Sequence, residues 1–263
     1  MAILRGEGIV LKTHALGDTS RIVVVFMRDQ GLVKLVAKGA RKPPNRFGYA
    51  LEPLSRATYT FYFKPDRDLH LVSQADTIDP AGSRLYELTR LAHAQAALEL
   101  IDRLVWGPEP HPELYDLLVA TIAATIRAPE ASLPAVTLAF ELQVASLLGY
   151  RPRLDACANC SGTISPRRLF SPARGGLLCD RCASSEAGAI MLSADALAGL
   201  ALLMSRPVAD AGQYLEIPRA GEIQRVVEAF FRFHFQRFHG LRSLEMLRAL
   251  PAVTRAVPPT PTR

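Results

Sequence analysis

The sequence predicts an α+β protein in which a small β-barrel precedes a helical domain, with a four-cysteine zinc ribbon inserted into the helical part. Three observations carry this reading. Residues 1–79 alternate short β-branched and aromatic runs with turn residues. From Ser83 onward apolar residues recur at helical spacing. All four cysteines fall in one 26-residue window, as Cys157-Ala-Asn-Cys160 and Cys179-Asp-Arg-Cys182, with 18 residues between the pairs.

Five runs read as strands: Gly8–Thr13, Arg21–Met27, Leu32–Ala37, Ala57–Phe63 and Leu69–Ser73. Leu16-Gly-Asp18, Asp29-Gln-Gly31 and Lys64-Pro-Asp-Arg67 supply turn chemistry between them. Five short strands with one longer insertion, Lys38 to Pro53, match a five-stranded OB-fold β-barrel, whose commonest ligands are oligonucleotides. An SH3-like barrel has much the same pattern. Asp79-Pro80 marks the change of texture. Leu85, Leu88, Ala92 and Ala96 take helical spacing, and Leu114, Leu117, Leu118 and Ile122 follow the start signal His111-Pro112-Glu113. A third helix runs from Ala135 to Leu148 and stops at Gly149. Helical texture resumes after the cysteines, from Ser193, an N-cap followed by the first-turn acid Asp195, to Met204, and then from Ala220 to about Phe238. The units are therefore 1–79 (barrel), 80–155 (helical, first part), 156–184 (ribbon), 185–250 (helical, second part) and 251–263, a proline-rich tail expected to be disordered.

The cysteine spacing is that of a structural zinc site. Two residues between thiolates let one tight turn present both sulfurs to the same ion, and Gly162 and Gly175-Gly176 supply the turns. Four thiolates, Cys157, Cys160, Cys179 and Cys182, complete a tetrahedral Zn2+ and leave no position for an activated water. The competing readings are a pair of redox C-x-x-C motifs, which need a βαβ unit missing here, and disulfides, which need an oxidising compartment.

At 263 residues and 49% hydrophobic composition the chain can bury a sizeable core. Arg5, Glu7 and Lys12 interrupt the stretch a signal peptide would need, and Ser193 and Asp195 interrupt the longest weakly charged stretch. A cytoplasmic protein without membrane spans is expected. The net charge of +6 is unevenly spread: residues 1–80 hold 12 Lys/Arg against 8 Asp/Glu, 81–150 hold 4 against 8, and 151–182 hold 6 against 2. Two basic segments flanking an acidic one suit an anionic polymer, although differences of this size also arise as surface variation.

Within the insertion, the stretch Ala37 to Phe47 carries Lys38, Arg41, Lys42 and Arg46 and no acid, the composition of a phosphate-binding rim. The plainer reading is a solvated loop that protects a sheet edge. Arg21 and Arg56, at strand starts, would extend the track. Strand alternation puts Tyr59, Phe61 and Phe63 on one face and Tyr62 on the other, where a base would stack, with core packing the simpler use of every one of them. Phe230, Phe231, Phe233, Phe235 and Phe238 read as core. His234 and His239 are five apart, do not share a helix face, and read as packing or capping residues. P-loop, zincin, nucleophile-elbow and EF-hand motifs are missing, Gly6-Glu-Gly8 lacks the third glycine of a dinucleotide fingerprint, and the cysteines are committed. No catalytic residue is expected.

Taken together, Leu16-Gly-Asp-Thr-Ser-Arg21, Gly31, Ala37-Lys-Gly-Ala-Arg-Lys42, Leu51-Glu-Pro53, Leu148-Gly-Tyr-Arg-Pro152, the cysteine pairs, Phe170, Gly175-Gly176 and His239-Gly-Leu-Arg-Ser243 resemble the bacterial recombination mediator family RecO over nearly the whole chain. The chain departs from that family at Pro43-Pro44-Asn45, where a small polar residue would precede Arg46. The resemblance implies a non-enzymatic DNA repair protein that binds single- and double-stranded DNA and anneals complementary strands. It also implies joining RecR and helping to load RecA onto DNA covered by single-strand binding protein, whose acidic tail docks in the helical domain. Two other classes remain: a zinc-ribbon RNA-binding or ribosome-associated module, and an enzyme with structural zinc and no linear active-site signature.

Overall fold

In the computed structural model, which describes residues 2–44, 46–211, 213 and 217–250, five strands close into a barrel. They are β1 (Ala2–Leu16), β2 (Ser20–Met27), β3 (Gly31–Ala37), β4 (Ser55–Phe63) and β5 (Leu69–Pro80), in the order β1-β2-β3-β5-β4. Only the β3–β5 pairing is parallel. The five-stranded barrel, the helical part and the cysteine cluster agree with the α+β expectation. β1 and β5 are longer than their apolar runs. β1 serves two ladders, pairing with β4 through Ala2–Ile9 and with β2 through Gly8–Leu16. Its first half therefore carries polar outward residues that hide it from a hydrophobicity pattern. Gly8 lies where the ladders overlap, and a Cβ there would collide with the Val25 side chain.

Alternation fills the barrel. Val23, Val25, Leu35, Tyr59, Phe61 and Val72 are fully buried, whereas Phe63 is only half-buried and stacks on His70 with ring centroids 4.8 Å apart. Phe47, Ala50 and Leu51, from the insertion after β3, join the same buried cluster. The Tyr59 hydroxyl donates to the Ala50 carbonyl at 2.6 Å, and burial pushes that phenol far above its ordinary range.

The helical part comprises α1 (Leu88–Leu104), α2 (Pro112–Arg127) and α3 (Leu133–Leu147). The ribbon follows as β6 (Leu169–Ser171), β7 (Gly176–Leu177), α4 (Asp180–Ala183) and β8 (Ile190–Met191). Then come α5 (Ala194–Ser205), α6 (Val208–Ala211), α7 (Ala220–His234) and α8 (Arg242–Ala249). α3 is buried on nearly every side, as an all-round apolar helix must be. Ser193 caps α5, accepting from the Ala196 N–H as its position predicts. The long last helix ends at His234 rather than near Phe238. The chain turns at Gly240, with φ of 97°, and starts α8, which the sequence pattern left unassigned. Glu99 on α1 accepts from the Arg242 and Ser243 backbone N–H groups at 2.8 and 3.1 Å, capping α8 from another helix. The expectation that Phe233 belongs to the core fails: it is 60% exposed, at the margin of the stripe formed by Ile223, Val226, Val227, Phe230 and Phe231. The tail 251–263 lies outside the described residues.

Besides the cluster inside the barrel, a second core is shared between barrel and helices. Ile9, Leu11, Phe26 and Leu54 of the barrel cluster with Tyr115 and Leu118 of α2. Around that contact Tyr115 donates to Glu7 at 2.9 Å, Arg28 grips Asp116 through two hydrogen bonds of 3.1 and 2.8 Å, and Lys12 meets Asp102 at 2.6 Å. The turn before β3 presses on the α1–α2 loop, where the Leu32 N–H donates to Gly107 O at 2.9 Å. Gly31 sits there with φ of 65°, its Cα against the Glu109 backbone. Gly31→Ala adds a Cβ both to a left-handed residue and to that contact, and is expected to lower unfolding free energy by more than about 1 kcal/mol in urea titrations.

Glu141 on α3 is buried facing Glu228 of α7 and Arg248 of α8. Burial raises its carboxyl to about 8, with Glu228 adding to the rise and Arg248 opposing it. The folded state therefore holds a proton that the unfolded chain releases in the ordinary carboxylate range. The stability this group contributes is complete below a pH of about 4 and is lost as pH rises through about 8. Glu141→Gln is expected to remove that part of the pH dependence, measured as urea midpoints across this window.

Candidate metal centre and nucleic-acid interface

The first cysteine pair is shaped by backbone hydrogen bonds. The Cys157 N–H donates to Gly162 O at 2.9 Å and the Ser161 N–H to Cys157 O at 2.8 Å, so the chain doubles back between the two thiols. Ser161 takes the left-handed conformation this requires, with φ of 60°. The second pair brackets the first turn of α4, with Cys179 as its N-cap. The four sulfurs lie within 4.8 Å of one another, and Cys160 and Cys179 are 3.7 Å apart. Thiolates about 2.3 Å from a tetrahedral ion stand about 3.8 Å from each other. All four cysteines are free thiols, so the disulfide reading does not apply.

The surroundings favour the thiolate at Cys157 but not at Cys182, where the Asn159 amide is outweighed by Cys179, burial and the other cysteines and the thiol is pushed up to about 11. Burial opposes ionisation of Cys157, but the backbone N–H groups of Cys179, Cys160 and Asn159 outweigh it and bring the thiol down to about 6. Arg181 hydrogen-bonds Cys160, and the three neighbouring cysteine charges add to the pull that raises its own pKa. The Asn159 amide donates to the Cys182 sulfur at 3.4 Å. Four thiolates around a divalent ion carry two net negative charges, which Arg181 is placed to offset. With four protein ligands no coordination position stays open, so such an ion holds structure rather than activating water.

The ribbon sheet, in the order β7-β6-β8, is seated on α7. Phe170 meets Phe230 edge-on at 6.5 Å, and His234 Nε2 bonds to the Pro172 carbonyl at 2.9 Å while its ring stacks on Phe230 at 4.5 Å. The packing role expected of His234 is therefore borne out. Gly176 lets the strand lie against Arg153, whose carbonyl accepts from the Leu177 N–H at 2.9 Å.

The second feature lies on the barrel. The insertion after β3 arches beside the ends of β4 and β5 to form an open groove of about 640 Å³, lined by Lys38, Lys42, Arg46, Tyr62 and Leu71 among others. Gly39, with φ of 73°, allows the tight turn in which the Lys42 N–H donates to the Gly39 carbonyl. Arg46 rests its guanidinium 4.5 Å from the Phe47 ring. Lys38, Lys42 and Arg46 have no ion pair among the described residues.

The structure does not gather all six cations of the expected track. Arg41 braces the loop: its N–H donates to Thr19 O at 3.0 Å and its guanidinium to Gly17 O at 2.7 Å. Arg21 is paired with Glu52 at 2.7 Å. Arg56 turns to the helical side, 3.6 Å from Glu7, with its Nε buried and unpartnered. Sequence reading offered Tyr62 as a stacking residue and missed Leu71. The alternation of β5, with Val72 inward, is the signal that places Leu71 outward.

Comparison with known proteins agrees with this architecture. Residues 1–81 match the family model described as Recombination protein O N terminal, and residues 85–245 match Recombination protein O C terminal. A DNA repair protein RecO of Streptomyces griseus is 35% identical over 251 residues, covering 93% of this chain and 98% of that one. One of Anaeromyxobacter dehalogenans is 35% identical over 88% of this chain and 91% of its own length. One of Symbiobacterium thermophilum is 32% identical, covering 95% and 98%.

The metal centre makes a direct prediction. The purified protein is expected to carry one divalent ion per chain by native mass spectrometry, and Cys160→Ser to carry none while losing protection of the ribbon amides in hydrogen exchange. Retention of a full equivalent of metal by that variant would remove Cys160 from the ligand set.

Proposed function

This chain belongs to the RecO family of DNA repair proteins, and from that premise we propose that it is a recombination mediator. In this reading it binds single- and double-stranded DNA and anneals complementary strands. With RecR, and through the acidic tail of single-strand binding protein, it assists RecA in reaching covered DNA. It acts in the cytoplasm, at the nucleoid. No helix among the described residues is long and apolar enough to cross a membrane.

The observation that carries the proposal is the groove: three cations without an ion pair among the described residues and an aromatic ring line one open face of the barrel. Phosphates neutralised there release counterions, which is the main source of affinity for a nucleic-acid backbone. Screening by the same cations lowers the repulsion between two strands brought together. The proposal assigns no residue a catalytic role, so binding energy alone does the work. It assigns zinc to the four thiolates, because a borderline-soft ion without redox chemistry matches a closed tetrahedral sulfur site. Zinc there fixes the ribbon on α7.

Annealing of complementary oligonucleotides is expected to run equally well with ATP, with a non-hydrolysable analogue and without nucleotide, in the presence of single-strand binding protein. A requirement for hydrolysis, or a stronger preference for matched RNA than for DNA, overturns the mediator reading. Three groove cations predict that the logarithm of single-strand affinity falls with the logarithm of salt at a slope of about 2, from about 0.7 per phosphate contact. Lys42→Gln should reduce the slope by about 0.7, whereas Glu52→Gln, which releases Arg21, should increase it.

A further inference from the structure

The four sulfurs of the ribbon differ in how far solvent reaches them. Cys157 is buried, Cys179 and Cys182 are half-buried, and Cys160 is exposed. Gly162, which faces the Cys160 sulfur, has no side chain to cover it; a Cβ there would stand 3.4 Å from Sγ. The exposed Arg181 hydrogen-bonds the same sulfur. Across the cluster, Cys179 Sγ lies 3.7 Å from Cys160 Sγ, and the two belong to different pairs. The other sulfur of the second pair, Cys182, is engaged by the Asn159 amide at 3.4 Å. We infer that Cys160 is a modification site for small peroxides, and that its oxidation closes a reversible Cys160–Cys179 disulfide in place of the bound ion.

The step balances with hydrogen peroxide as oxidant. The Cys160 thiolate attacks one peroxide oxygen, an S–O bond forms, the O–O bond breaks, and a sulfenic acid and hydroxide result. The Cys179 thiolate then attacks that sulfur, an S–S bond forms, the S–O bond breaks and a second hydroxide leaves. Both hydroxides take protons from solvent, so the peroxide ends as water and each sulfur gives up one electron. The sulfurs need only close from 3.7 Å to about 2.05 Å. Two of the four ligands are consumed, and the two that remain do not complete a tetrahedral site, so the ion is released. Which sulfurs pair decides what happens to the fold. A disulfide inside either C-x-x-C pair would leave the two turns unconnected. The Cys160–Cys179 bond ties the first turn to the start of α4, the same connection that the ion makes. The aromatic seat contains no sulfur, so Phe170 stays against Phe230 and His234 on the Pro172 carbonyl. The oxidised ribbon therefore keeps its place on α7, and a thiol reductant returns it to the metal-binding state. Transient disulfides of this kind serve sensing in a reducing compartment.

The inference rests on the proposed zinc reading of the four thiolates and is separable from it. Full-length protein loaded with zinc is titrated with hydrogen peroxide while released metal is read with a colorimetric chelator, and alkylated peptides are then mapped by mass spectrometry. About one ion is expected to leave per hydrogen peroxide consumed, with Cys160–Cys179 as the new cross-link. Dithiothreitol and added zinc should restore the starting state. Ribbon amides of the oxidised protein should keep their hydrogen-exchange protection, in contrast to metal-free Cys160→Ser. Cys179→His, whose three thiolates and imidazole still suit zinc, should form no cross-link to position 179 and take a dimedone label at Cys160. Metal retained in excess peroxide, a disulfide inside either pair, ribbon protection lost on oxidation, or a dimedone label on another cysteine in place of Cys160 overturns the inference and leaves the zinc reading standing. Protein that carries no metal from reducing conditions and takes up no added zinc overturns the zinc reading and the inference with it.

Discussion

The insertion between β3 and β4 is held by its own burial, and both the barrel and the groove depend on that. Phe47, Ala50 and Leu51 enter the barrel cluster beside Tyr59 and Phe61, and the Tyr59 hydroxyl closes on the Ala50 carbonyl. Each large apolar side chain removed from water there contributes roughly 1.5 to 3 kcal/mol. A loop with Lys38, Arg41, Lys42 and Arg46 would otherwise repel itself into many conformations. Anchored by Phe47 at one end and by the Arg41 bonds to the β1–β2 turn at the other, it presents its remaining cations in one place. Core and groove are two sides of the same segment.

A second coupling runs through α7. Its apolar stripe packs into the helical core, while Phe230 and His234 at its end hold the ribbon through Phe170 and Pro172. The order of the ribbon therefore has two sources, the thiolate cluster and the aromatic seat. The barrel is joined to the same body by the Phe26–Tyr115 contact and the Arg28–Asp116 pair. The groove segment thus packs into the cluster inside the barrel, whereas the ribbon packs into a second cluster that the helices share with Ile9, Leu11, Phe26 and Leu54 of the barrel.

Charge shows how far composition carries an argument. Residues 1–80 hold a surplus of cations, and that surplus points to an anionic partner. Yet Arg21, Arg28, Arg56 and Lys12 are engaged by Glu52, Asp116, Glu7 and Asp102. Two of those acids belong to the acidic helical segment, so part of the charge asymmetry between the two segments is satisfied within the molecule. Lys38, Lys42 and Arg46 of the insertion have no ion pair among the described residues.

The sequence by itself determined what local chemistry determines. Cysteine spacing pointed to the four-thiolate centre, because a two-residue gap lets one tight turn present both sulfurs to the same ion. Alternation in β4 specified its inward face, because the side-chain period is fixed, and apolar β-branched runs bounded by turn residues specified β2 and β3. The Ser193 cap and the start at Pro112 were equally legible. Tertiary structure decided the rest, wherever a residue's role depends on a partner distant in the chain. The full length of β1 follows from having two different ladder partners, and α8 is capped by Glu99 from α1. Which cations stay free follows from acids brought beside them by folding.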